Sequence, residues 1–214
     1  MVQMEKQNGL KTYKLPKMDL VDYLKQNPKK HLVFDFDGTI YRLNWEAEES
    51  VNDYRNRFWA TIRDLDAELI KEMPSPVPGK TEYIVNNAIK KHGDKAKEIL
   101  FKLLESKEQT LIGSERPIEP IIDFIKKYNT DFTFHVWSSN MSSTVETTLK
   151  NNSLLQYFDL IICRDNVNQS KPDPEGFRLI YDKSLPKSDY LMIGDADRDR
   201  GAAENAGIDF FLVS

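Results

Sequence analysis

A single cysteine, Cys163, is all the thiol this chain has. No intramolecular disulfide can form, and a lone thiol suits a reducing compartment, so a cytoplasmic location is expected. Long apolar runs are also missing: no stretch approaches the roughly 20 residues needed to span a bilayer, and Met1 to Lys17 is polar, without the apolar segment of a signal peptide. Positive charge is not in excess, with 30 basic against 34 acidic residues and a net charge of −4. That balance argues against a nucleic-acid binder, and 40% hydrophobic residues argue against disorder. Internal repeats and low-complexity tracts are absent. The three histidines, His31, His92 and His135, share no metal-ligand spacing. What remains is an ordinary globular chain of 214 residues, long enough for one domain or somewhat more.

Residues 1 to about 17 carry no clear period and are expected to form a loose arm; Met18 to Gln26 reads as a short helix closed by Asn27-Pro28. His31 to Phe34 is an apolar, aromatic run that suits a buried parallel strand, and it ends in Asp35-Phe36-Asp37-Gly38-Thr39. From Glu46 to Met73 apolar residues recur in steps of three and four, from Val51 to Leu69, as one stripe of a long helix ended by the Pro74 to Gly79 segment. Helices are also expected over Thr81 to His92, closed by Gly93, and from Asp94 to about Lys107 with Ile99, Leu100, Leu103 and Leu104 inward. The result is an all-helical block of about 70 residues without strand signals.

Alternation follows. The pattern predicts helices at Ile118 to Tyr128, Ser142 to Asn151, Pro174 to Ser184 (Asp173 as N-cap) and Arg198 to Ala206 (stopped by Gly207). Strands are predicted at Asp131 to Trp137, Asp159 to Cys163, Tyr190 to Ile193 and Ile208 to Val213. Strands alternating with helices argue for an α/β fold, a doubly wound parallel sheet with an inserted helical block. The expected division is an N-terminal arm and short helix over 1–30, a core over 31–43 and 113–214, and a helical cap over 44–112.

In such sheets ligands bind beyond the carboxyl ends of the strands. Four strand ends therefore matter: Asp35 to Thr39, Ser138-Ser139-Asn140, Ser170 to Pro174 with Lys171, and Gly194 to Asp199. Each alone has a bland reading as a turn, a cap or a solvated lysine. Together they gather acids, hydroxyl donors and one cation on one sheet edge, a set that suits phosphoryl transfer. Phosphoryl oxygens need positioning and neutralisation, a hard cation takes carboxylates, an aspartate can attack phosphorus, and a second acid can serve the leaving group.

These four segments resemble, in order, the four motifs of the haloacid dehalogenase superfamily: D-x-D-G-T, the strand-end serine, the K-P-x-P lysine and G-D-x-x-x-D. The resemblance covers nearly everything after residue 31, and the helical block resembles the cap that many members insert after the first motif. It implies Asp35 as nucleophile and Asp37 as general acid/base. Ser138 and Lys171 would hold phosphoryl oxygens, with Ser139 as an alternative to Ser138 and with Gly38, Thr39 and Asn140 beside the substrate. Mg²⁺ would be held by Asp35, Asp195 and Asp199, with the Asp37 carbonyl. Asp197 is expected to face solvent or pair with Arg198 or Arg200. Dehalogenase members lack the second aspartate, so Asp37 favours phosphate chemistry.

The implied function is a Mg²⁺-dependent phosphatase acting on a small phosphorylated metabolite through an aspartyl-phosphate, as a monomer or homodimer without nucleic-acid or membrane partners. A sugar-phosphate mutase is the alternative; a phospho-acceptor signalling module or a silent binding protein fits less well. Tyr41, Arg42, Asn44, Trp45 and Arg116 are expected on the cap rim. Two departures from the family pattern are the longer arm before Asp35 and the end at Ser214, without the usual further helix. The arm is a candidate cover for the sheet edge that helix would leave bare.

Overall fold

A computed structural model describes residues 3–7, 10–14, 19–45, 51–73 and 80–213. Five parallel strands form the central sheet: β3 (His31–Phe34), β6 (Thr133–Trp137), β7 (Phe158–Ile162), β8 (Tyr190–Gly194) and β9 (Asp209–Leu212), in the spatial order β7-β6-β3-β8-β9. The direction of winding reverses between β3 and β8, so a crevice opens there, at the carboxyl ends of the two strands. Asp35 leaves β3 and Asp195 leaves β8 at that point.

Alternation along β3 builds a layer on each face. Leu32 and Phe34 join a core with α1 (Leu20–Gln26), α6 (Glu119–Lys127) and α7 (Ser142–Asn151). Val33 joins the opposite core with α8 (Glu175–Ile180) and α9 (Asp197–Ala206). Burying both faces explains why these strands read as continuous apolar runs. Helix α9 ends where Gly207 takes the left-handed conformation (φ +72°).

The helical block comprises α2 (Val51–Asp66), α3 (Glu68–Lys71), α4 (Lys80–His92) and α5 (Asp94–Gln109). Phe58, Ile62, Ile84, Val85, Leu100 and Leu104 form a hydrophobic core of its own, joined by Met141 from the sheet side.

Several expectations need correction. The arm is not loose throughout: β1 (Gln3–Gln7) and β2 (Leu10–Lys14) pair antiparallel. The long helix is interrupted at Ala67, where the Asp66 carboxylate accepts from Glu68 N (3.0 Å) and pairs with Lys91 (2.6 Å) and His92 (2.9 Å). An aspartate that binds nearby backbone competes with helix continuation. Its expected proline-rich stop, and Glu46 to Ser50, lie outside the described residues. Ile99 is not inward but 40% exposed; the inner stripe of α5 is Ala96, Leu100, Phe101 and Leu104. Helix α8 ends four residues early, at Ile180, and its N-cap position is Pro174; Asp173 still accepts from Glu175 N (2.9 Å). A short antiparallel pair, β4 (Tyr41–Arg42) with β5 (Arg116–Pro117), closes the base of the helical block. Beside edge strand β9 lies α1, with Tyr23 against Phe211 at 5.3 Å. Among the described residues no helix is long and apolar enough to cross a membrane.

Candidate active site

Asp35 follows β3 directly, and its N–H still donates to Ile193 O on β8 (2.8 Å). Its carboxylate is therefore fixed at the switch point, 1% exposed. Oδ1 accepts from Lys171 Nζ at 2.6 Å; Oδ2 is buried without a hydrogen-bond partner among the described residues, 4.0 Å from Arg198 Nη2. Burial pushes the Asp35 carboxyl up to about 7 against the pull of Lys171, with Asp199 adding to the rise.

Lys171 is fully buried, and its ammonium also reaches Asp199 Oδ1 (2.5 Å). Burial opposes its charge, but Asp199 and Asp35 outweigh burial and the pKa is raised. Asp199 is buried as well, its second oxygen accepting from Ala196 N (3.1 Å) at the start of α9. Asp35, Asp195 and Asp199 each offer a carboxylate oxygen, all within 4.8 Å of one another. Three carboxylates at this spacing suit a small hard cation, beside the Lys171 ammonium that already offsets part of their charge.

Asp37 stands two residues on. Oδ1 accepts from Leu43 N (2.9 Å) and Oδ2 from Trp45 Nε1 (2.6 Å). Burial raises its pKa, with the Trp45 and Leu43 bonds opposing. The turn that follows the two acids needs Gly38, at φ +89°: a Cβ there would lie 2.1 Å from Asp195 Oδ2. Thr39 is fully buried and its hydroxyl has no hydrogen-bond partner among the described residues.

At the end of β6, Ser138 N donates to Ile162 O (2.9 Å), which fixes the strand-end turn. Ser138 Oγ donates to Asn140 Oδ1 (3.0 Å) and accepts from Asn140 N (3.1 Å). Ser139 Oγ is buried without a partner among the described residues, and Ser139 and Asn140 line a cavity of about 450 Å³ between sheet and helical block. Trp45, Tyr54, Phe58 and Trp59 give that cavity an aromatic wall. Asn86 of α4 holds the lysine loop through both Ser170 O (2.8 Å) and Ser170 N (2.9 Å).

All four strand ends thus meet at one edge of the sheet, within or beside the crevice. Asp197 is exposed, as expected, but Arg198 turns to Asp35 and to Glu82 of α4 (3.8 Å). Arg42, Asn44, Trp45 and Arg116 line a cleft with Asp37 and Asp195; Tyr41, expected with them, is instead buried in the core at 3% exposure. Sequence reasoning missed Glu82, Arg164, Arg198 and the buried Glu108, which lines the same cavity and accepts from Met141 N (2.8 Å). Only Arg198 carried a signal, lying inside the last acidic run; the others sit in segments whose local pattern reads as ordinary helix or loop. His31 and His135, set apart in sequence, meet across the sheet with ring nitrogens 3.2 Å apart, away from the acids. Cys163 is buried and its thiol pKa raised by burial, which suits an inert packing role.

The family model for haloacid dehalogenase-like hydrolases matches residues 32–213. The chain belongs to the haloacid dehalogenase-like hydrolases. Its likeness to the pyrophosphatase PpaX of Listeria welshimeri is 34% identity over 179 residues, 82% of this chain and 78% of that one. Among solved structures it resembles a subfamily IA hydrolase from Geobacter sulfurreducens (TM-score 0.53, 18% identity, 86% of each chain). It also resembles YfnB of Bacillus subtilis, whose magnesium-bound form reveals interdomain movement (TM-score 0.51, 20% identity, 86% of each chain). This hydrolase therefore falls in the phosphatase-like branch of its family, an enzyme with an inserted helical block.

Proposed function

We propose that this hydrolase is a Mg²⁺-dependent phosphatase that cleaves a small phosphorylated metabolite through an aspartyl-phosphate on Asp35. The observation that carries the reading is the bare, buried Oδ2 of Asp35, which faces Arg198 while Lys171 holds the other oxygen of the same carboxylate. In the first step Asp35 Oδ2 bonds to phosphorus, the bond to the leaving oxygen breaks, and Asp37, as carboxylic acid, protonates that oxygen. A raised Asp37 pKa favours the acid form this needs. In the second step Asp37, now carboxylate, takes a proton from water as its oxygen attacks phosphorus, and Asp35 leaves as carboxylate with phosphate released. Lys171 and the Ser138 hydroxyl would hold phosphoryl oxygens, with Ser139 and Asn140 on the pocket wall and Gly38-Thr39 shaping the turn. Mg²⁺ held by Asp35, Asp195 and Asp199, with the Asp37 carbonyl, would neutralise phosphoryl charge.

The block over 44–112 is proposed as the cap that closes over the core of 31–43 and 113–214. The PpaX relatives put pyrophosphate among the substrates to be tried. Cys163, buried and single, fits a cytoplasmic enzyme.

The test is release of phosphate from an aryl phosphate and from a panel of phosphorylated metabolites with Mg²⁺. Wild type should turn over and be slowed at least about a thousandfold by Asp35→Asn. Acid quenching should trap a phosphorylated wild-type protein. Silence across the panel, or an equally active Asp35→Asn, overturns the reading.

A further inference from the structure

The charged groups of the helical-block cavity do not all serve the reacting phosphoryl group. Arg164 follows β7 and is only 2% exposed. Nε donates to Ser139 O (2.7 Å), Nη1 is buried with no hydrogen-bond partner among the described residues, and Nη2 lies 3.9 Å from Glu82 Oε1, beyond hydrogen-bond reach. A guanidinium has five donors in a rigid fork, and burying it with most of them unused is costly. Arg198 is in a similar position. Its Nε is buried without a partner among the described residues, and Nη1 lies 3.8 Å from the same Glu82 oxygen. A single cap carboxylate thus stands between two core arginines without bonding either closely. One of them, Arg198, also faces the nucleophile Asp35; the other, Arg164, lies one carboxylate further into the cavity.

We propose that Arg164, with Arg198, binds a second anionic group of the substrate, a carboxylate or a second phosphoryl group, and that Glu82 holds that anion's place until substrate displaces it. This deepens the phosphatase reading and rests on it for the identity of the reacting end. Bidentate pairing with a planar or tetrahedral anion would use the fork that Glu82 leaves unused. The cavity, about 450 Å³, has room for such a molecule, and its lining carries the cations Arg55 and Lys80 as well as the carboxylates Asp37 and Glu108. Specificity follows from polar groups that stay unpaired when a singly anionic ester binds.

The test measures binding without turnover, by calorimetry at fixed magnesium, so that failure of the phosphatase reading shows separately, in the activity panel. The ligands are ethylphosphonate, with one anionic group, phosphonoacetate, which adds a carboxylate, and methylenediphosphonate, which adds a second phosphonyl group. Wild type should bind at least one of the two doubly anionic compounds about tenfold or more tightly than ethylphosphonate, and which one identifies the second group. Arg164→Gln should lose about tenfold of that preference and Arg164→Lys should recover part of it. Because Arg164 also holds Ser139 O and its replacement could disturb the fold, Glu82→Gln supplies an independent reading. Removal of the competing carboxylate should tighten the doubly anionic ligand several-fold. Equal affinity of wild type for all three ligands, an unchanged preference in Arg164→Gln, or weaker binding by Glu82→Gln would overturn the proposal.

Discussion

Trp45 Nε1 donates to Asp37 Oδ2 at 2.6 Å, eight residues along the chain and across the turn that leads into the helical block. The bond ties the proposed acid/base to the first segment of the cap, so proton transfer and the position of that segment are coupled. Trp45→Phe keeps the ring and removes the donor. A hydrogen bond to a carboxylate is worth about 1.5–3 kcal/mol. We expect kcat to fall about tenfold or more with KM changed less, in steady-state kinetics with an aryl phosphate. A change confined to KM would mean that Trp45 contacts substrate and does not position Asp37.

Gly38 and Gly93 both have positive φ, but only Gly38 is crowded: a Cβ at Gly93 meets nothing within 4 Å, whereas at Gly38 it meets the Asp195 carboxylate. Each alanine variant carries the backbone penalty, about 1–2 kcal/mol. Gly38→Ala should in addition raise the magnesium concentration for half-maximal activity about tenfold, and Gly93→Ala should not. Magnesium titration of activity, with thermal unfolding as the control for strain, separates the two contributions.

Lys171 is the buried ammonium between Asp35 and Asp199. Lys171→Met leaves two buried carboxylates without their cation, and breaking such a pair costs about 3–5 kcal/mol. Thermal unfolding should show a large drop in Tm, and magnesium should recover more of it in the variant than in wild type. An equal magnesium effect in both proteins would place the metal away from these carboxylates.

His135 is buried against His31, and burial followed by the neighbouring imidazole lowers its pKa to about 4. Its folded pKa is below the unfolded value of 6.5, so the unfolded chain binds more protons between those limits. Stability is therefore lost as pH falls through that window, by up to about 3 kcal/mol from this residue. Glu108, raised by burial to about 7, works in the opposite direction over part of the same range. The measurement is therefore the difference between His135→Gln and wild type, by urea unfolding at about pH 7.5 and about pH 5. The variant should lose less stability on acidification than wild type does.

The order of elements and the four strand ends were legible because they are local. Period-two and period-3.6 patterns, Gly207 after α9 and the apolar run before Asp35 each report on a few neighbouring residues. Strand parallelism then places every carboxyl end on one edge, so Asp35, Ser138, Lys171 and Asp195 could be grouped before any coordinate was known. Contacts between distant segments were not legible. Ile99 looked inward because its apolar character fits the α5 stripe, yet its direction depends on which face α4 and α2 cover. Tyr41 looked like a rim residue because it follows the first motif, yet the β4–β5 pairing turns it into the core.

The sequence by itself determined the α/β order, the family and the acids, hydroxyls and lysine at the strand ends, since these follow from short-range pattern and from topology. The tertiary structure alone decided that Trp45 holds Asp37, that Asn86 holds the lysine loop, and that Arg164, Glu82 and Arg198 face one another. Those pairs are separated in the chain by between 8 and 116 residues, and only the packing of the helical block against the sheet brings their charges and donors within reach.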